Sequence, residues 1–76
     1  MFGNTEVVAQ CISKGTNKIL DNNIEYTRWS YSFKIIAPEQ LWGVTPVLYN
    51  DMDEVYEVGK FYEGVYNRQK GIFMLR

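Results

Sequence analysis

Residues 25–36 alternate in character along the chain. The odd positions hold Glu25, Thr27, Trp29, Tyr31, Phe33 and Ile35; the even positions hold Tyr26, Arg28, Ser30, Ser32, Lys34 and Ile36. Successive side chains of a β-strand leave opposite faces. Over residues 28–35 one face is therefore aromatic and aliphatic and the other is polar, which describes a half-buried strand. The aromatic content suits a pleated, partly covered surface. Such a strand needs a sheet, and 76 residues leave room for one domain only, spanning 1–76. A chain of this size buries about 60–65% of the surface it exposes when unfolded.

The rest of the chain supplies short partners for that strand. Residues 5–14 form a first strand with Val7, Ala9 and Cys11 inward, although Val8 and Ile12 on the other face leave its register open. Gly15-Thr16-Asn17 and Asp21-Asn22-Asn23 both read as turns, with Lys18-Ile19-Leu20 a short strand continuation between them. Pro38-Glu39-Gln40-Leu41-Trp42, stopped by Gly43, reads as one helical turn with proline at its first position. Leu41 and Trp42 are expected to plug one end of the sheet. Residues 44–49 form the next strand, demoted towards an edge or a bulge by Pro46, and Asn50-Asp51 turns the chain. Residues 52–58 fit a helical turn or a strand. A strand over 60–66, a tight loop Asn67-Arg68-Gln69-Lys70-Gly71 with glycine in the left-handed position, and a closing strand over 72–75 complete the pattern. Five or six short strands cannot make two full sheets. A strongly bent antiparallel sheet, an OB-like barrel with one short helical turn, removes open edges and encloses one core.

Several chemistries are excluded by counts. The chain has no histidine and one cysteine. Ser-His-Asp and Cys-His catalysis, histidine metal sites, an internal disulfide and cysteine-based zinc sites all require residues that are absent. Cys11 reads as a small buried hydrophobe, and a lone thiol suits a reducing, cytoplasmic setting. The opening stretch MFGNTEVVAQC lacks a basic region and an uninterrupted apolar run, so no signal peptide is expected. No apolar run approaches the ~20 residues of a spanning helix. Asp51, Asp53, Glu54 and Glu57 form the one acidic cluster. A calcium loop would need glycine where Tyr56 stands and glutamate where Tyr62 stands, so a solvated loop is expected. Gly59-Lys60, Gly64 and Gly71 lack phosphate-loop spacing. No metal, cofactor or catalytic set is expected, and the chain is read as a non-enzymatic binding module.

The binding candidates are basic and aromatic. Arg28 and Lys34 lie on the polar face of the second strand, with Ser30 and Ser32 between them. Lys14 and Lys18 flank the first turn, and Arg68 and Lys70 stand at the last hairpin tip. Basic tracks with exposed aromatic platforms hold single-stranded nucleic acid, and Tyr26, Tyr56, Tyr62 and Tyr66 are candidates to stack on bases. The segment EVGKFYEGVYNRQKGIFML, residues 57–75, resembles one common in small OB-type nucleic-acid-binding barrels. In those a valine-glycine-basic step leads into an aromatic strand and a glycine-bearing hairpin. Its C-terminal placement is similar to that in filamentous-phage single-strand DNA-binding proteins. The likeness covers about a quarter of the chain and implies an oligonucleotide ligand, whereas the more basic balance of those proteins is missing. The net charge here is −1. That balance places a protein partner first: a small viral or mobile-element accessory protein that binds and inhibits a host factor, with aromatics at the interface. Single-stranded nucleic acid comes second. Unpaired sheet edges also allow a homodimer through an edge strand.

Overall fold

A computed structural model describes residues 3–52 and 55–76. Five strands and one 3-10 turn occur in the order β1 (Asn4–Asp21), β2 (Ile24–Ala37), the turn (Glu39–Leu41), β3 (Val47–Asn50), β4 (Phe61–Asn67) and β5 (Ile72–Leu75). They form one antiparallel sheet in the spatial order β3-β2-β1-β4-β5. The first half of β1 is central, since it pairs with β2 on one side and β4 on the other. The sheet bends round this strand into a nearly closed, OB-like barrel with β3 and β5 as its edges. Two irregularities in the β1–β2 register, at Val8/Ala9 and at Cys11/Ser13, supply bends where the sheet must curl.

Alternation decides what the barrel encloses. Val7, Ala9 and Cys11 of β1 face Tyr31, Phe33 and Ile35 of β2, with Leu41 and Phe73 closing the core. Small side chains on β1 leave space for the aromatic rings of β2, so large and small groups interlock. The Phe33 ring packs against Tyr56, Tyr62 and Phe73, with centroids 5.4, 6.1 and 5.3 Å away. The buried Tyr31 hydroxyl donates to the Met52 carbonyl at 3.2 Å, so its polar end is satisfied.

Several expectations need correction. Gly15-Thr16-Asn17 is not a turn. β1 runs straight through it, with Gly15 opposite Ser30 and Asn17 opposite Arg28. The chain reverses only at Asn22-Asn23, where both residues have positive φ, 51° and 65°. That two-residue geometry matches the right-handed twist of flanking strands, and it fixes the register back towards the core. Ile12 sits at the bulge and is exposed, so Val7, Ala9 and Cys11 face the core and the inward parity changes only beyond the bulge. Pro38 precedes the 3-10 turn in an extended conformation rather than opening it. Leu41 plugs the sheet, whereas Trp42 is largely exposed and donates its indole N–H to the Ile36 carbonyl. Residues 52 and 55–58 form neither strand nor helix. Among the described residues five strands form, within the five or six expected. Within the acidic cluster Asp53 and Glu54 lie outside the described residues.

Candidate functional site

Beyond the barrel, β1 and β2 continue as a two-stranded arm. Pairing of β4 with β1 ends at Gln10 and Cys11, and pairing of β3 with β2 begins at Trp29. From Asn17 and Arg28 to the Asn22-Asn23 turn, the ribbon has no further strand beside it among the described residues. A two-stranded ribbon cannot bury both its faces, and alone it is marginally stable. Its side chains are therefore available to a ligand.

The bulge at Ile12 sets which groups share a face. Past it, Asn17, Ile19 and Asp21 lie opposite Arg28, Tyr26 and Ile24 on the outer face, while Lys14, Thr16 and Lys18 lie opposite Tyr31, Trp29 and Thr27 on the inner one. On the outer face the Arg28 guanidinium stands 5.9 Å from the Tyr26 ring centroid, and its Nη2 donates to the Tyr26 hydroxyl at 3.2 Å. A looser ion pair, Nε to Asp51 at 3.7 Å, holds its other side. These contacts are solvent-screened and weak enough to yield to a phosphate. On the inner face Lys18 donates to Thr27 Oγ1 at 3.1 Å. The outer face runs on through Ser30 and Ser32 to exposed Lys34. Beside it, on β3, Tyr49 lies opposite Ser30 and Val47 opposite Ser32. Arg28, Tyr49, Asn50, Asp51 and Met52 border a shallow depression there.

The structure brings Tyr26 and Arg28 together and places Lys34 further along the same face. Arg68 and Lys70 do not join them. They sit in the β4–β5 loop, beside Asn67, which pairs with Asn4 at the opposite end of β1. Tyr62 and Tyr66 turn inward with Gly64 and pack on the core. The Tyr62 hydroxyl also accepts the Glu57 N–H at 2.8 Å. Tyr56 packs edge-on against Tyr31, Phe33 and Tyr62. These three half-buried rings pack against the core, away from the Arg28 face.

Sequence reasoning missed Tyr49. It is 62% exposed beside the Arg28 face. Its signal was present in the alternation of Val47, Leu48 and Tyr49, where Leu48 packs inward. Elsewhere Lys60 pairs with Glu57 at 2.7 Å, and Arg76 with Glu6. The Glu57 carboxylate raises the Lys60 pKa by hydrogen bonding and attraction. Burial pushes the Cys11 thiol up, against a weaker downward pull from the Ser13 backbone. Among the described residues, no group of three carboxylates or thiols gathers to hold a metal ion. No helix among the described residues is long and apolar enough to cross a membrane. Compared with protein families, curated proteins and solved structures, the chain matches none.

Proposed function

We propose that this chain is a non-enzymatic module that binds single-stranded nucleic acid along the β1–β2 arm and the outer β2–β3 face. The observation that carries this reading is the segregation of charge. Residues 13–34 hold Lys14, Lys18, Arg28 and Lys34 against Asp21 and Glu25, whereas the rest of the chain holds four cations and seven anions. The net of −1 thus conceals a β1–β2 hairpin of net +2 over residues 13–34 on a body of net −3, although the arm itself, residues 17–28, sets Lys18 and Arg28 against Asp21 and Glu25. Local potential rather than total charge attracts a polyanion. Tyr26 and Tyr49 offer ring faces beside those cations, the combination that holds single strands without reading their sequence. In OB barrels the face of strands 2 and 3 and the adjoining loops take oligonucleotides. A reducing cytoplasm, in which Cys11 stays a thiol, is the setting in this proposal.

The test is a titration of mixed-sequence oligonucleotides against three variants. Arg28→Glu is expected to weaken binding at least tenfold. Tyr49→Ala is expected to weaken it about 5- to 150-fold, the 1–3 kcal/mol of one stacked base. Arg68→Glu, at the far end of β1, is expected to change it less than twofold. Equal losses in Arg28→Glu and Arg68→Glu would contradict the placement.

A protein partner is the second reading. Its observation is exposed apolar surface outside the arm: Trp42, Met52, Val58 and Phe61. Aromatic and methionine side chains are enriched at protein interfaces. A viral or mobile-element accessory protein that inhibits a host factor would use such a surface. Failure of oligonucleotide binding at low salt selects this alternative.

A further inference from the structure

The two ends of β1 carry complementary surfaces. At its C-terminal end the arm finishes in Leu20 and Ile24, which are 71% and 67% exposed. The register places Leu20 opposite Glu25 on the inner face, beside Lys18, and Ile24 opposite Asp21 on the outer face. At its N-terminal end the outer faces of β4 and β5 present Ile72 and Met74, which are 48% and 65% exposed. Together with Val65, Asn4, Asn67 and Lys70 they line a shallow depression. The adjoining loop holds Arg68 and Lys70 and no anion. Glu6, opposite Val65 on β1, is already held by Arg76.

One end is therefore a tip with one apolar side chain and one acid on each face of the ribbon, and the other an apolar depression lined by Lys70 with Arg68 in the same loop. Neither can reach the other within one chain, because β1 itself separates them. We propose that the arm tip of one copy docks in the β4–β5 depression of a second copy, so that the protein associates head to tail. Such a contact is heterologous. The pair as a whole keeps one free tip and one free depression, and the assembly grows as an open chain unless it closes into a ring. The tip is small, so each contact belongs to the weak class of interfaces below about 1,200 Å² of total buried area. Its flanking charges make it salt-sensitive. This inference does not depend on the nature of the ligand.

The experiment is sedimentation velocity on the whole protein between about 10 μM and 1 mM, a range that covers weak association. A tip variant, Leu20→Ser with Ile24→Ser, and a depression variant, Ile72→Ser with Met74→Ser, are run alone and mixed. All four positions are exposed, so the barrel is expected to keep its circular dichroism. A double variant that loses it is replaced by Ile24→Ser or Met74→Ser alone. The wild type is expected to sediment faster as concentration rises, and less so with added salt. Each variant alone is expected to remain monomeric. Their equimolar mixture is expected to form a dimer and stop there, since only one intact tip and one intact depression meet. Three results would overturn the proposal. The first is a wild type monomeric throughout. The second is a mixture no larger than its components. The third is a tip variant that still self-associates, which would indicate pairing of β3 or β5 edges instead.

Discussion

Phe33 has no exposed surface and touches three aromatic rings at the centre of the barrel. Phe33→Ala removes those contacts and leaves a cavity, so urea unfolding is expected to show a loss of about 3–5 kcal/mol. A loss under about 1 kcal/mol would be that of a surface position. Cys11 is equally buried, and burial raises its pKa, so the thiol stays protonated and shielded at neutral pH. A thiol reagent is therefore expected to label it only at the rate at which the barrel opens, accelerating with denaturant in step with unfolding. Labelling at the rate of a free thiol would contradict its placement. Both burials were legible in the alternation of β1 and β2. The fate of the tyrosines was not. Tyr26, Tyr49, Tyr62 and Tyr66 are chemically alike, and only the sheet's curvature decides that β4 turns two of them inward while β3 turns Tyr49 out. An amphipathic ring is compatible with either surface, so residue type alone carried no answer.

Two glycines govern the β4–β5 hairpin for different reasons. A Cβ on Gly64 would meet the Met74 carbonyl oxygen at 2.4 Å and the Leu75 side chain at 3.0 Å. Gly64→Ala must push β5 off the sheet, and thermal unfolding is expected to show a cost of about 1–3 kcal/mol. Gly71 has open space around it but φ of +69°. Gly71→Val is expected to cost about 1–2 kcal/mol through backbone strain alone, while Gly71→Asn, better suited to that region, should cost less. Equal effects of valine and asparagine would show that φ is not the cause. The left-handed position of Gly71 was readable from the loop sequence; the close approach at Gly64 was not, because it depends on how tightly β5 lies. The arm shows the same division. Asn22-Asn23 was a visible turn, but Gly15-Thr16-Asn17 looked equally good. Local turn chemistry cannot rank two candidates, whereas cross-strand pairing from Ser13 to Asp21 can. The continuous β1, Asn4–Asp21, followed from that one choice.

At the scale of the whole molecule, the bent five-strand sheet was implied by length and by short alternating segments, since a core of eight buried residues needs closure to exclude water. The distribution of charge was hidden because the sum over the chain mixes the arm with the body. The central claim is that the arm is the electrostatic contact with a single strand, and its most direct test is the salt dependence of oligonucleotide binding. If Arg28 and Lys34 on the outer face, with or without Lys18 on the arm, neutralise phosphates, log K is expected to fall with log salt at a slope of about −1.4 to −2.1, at 0.7 per phosphate. Arg28→Glu should make that slope shallower by about 0.7 or more, and Lys70→Glu should leave it unchanged. A wild-type slope near zero, or one that Lys70→Glu flattens as much as Arg28→Glu does, would contradict the account.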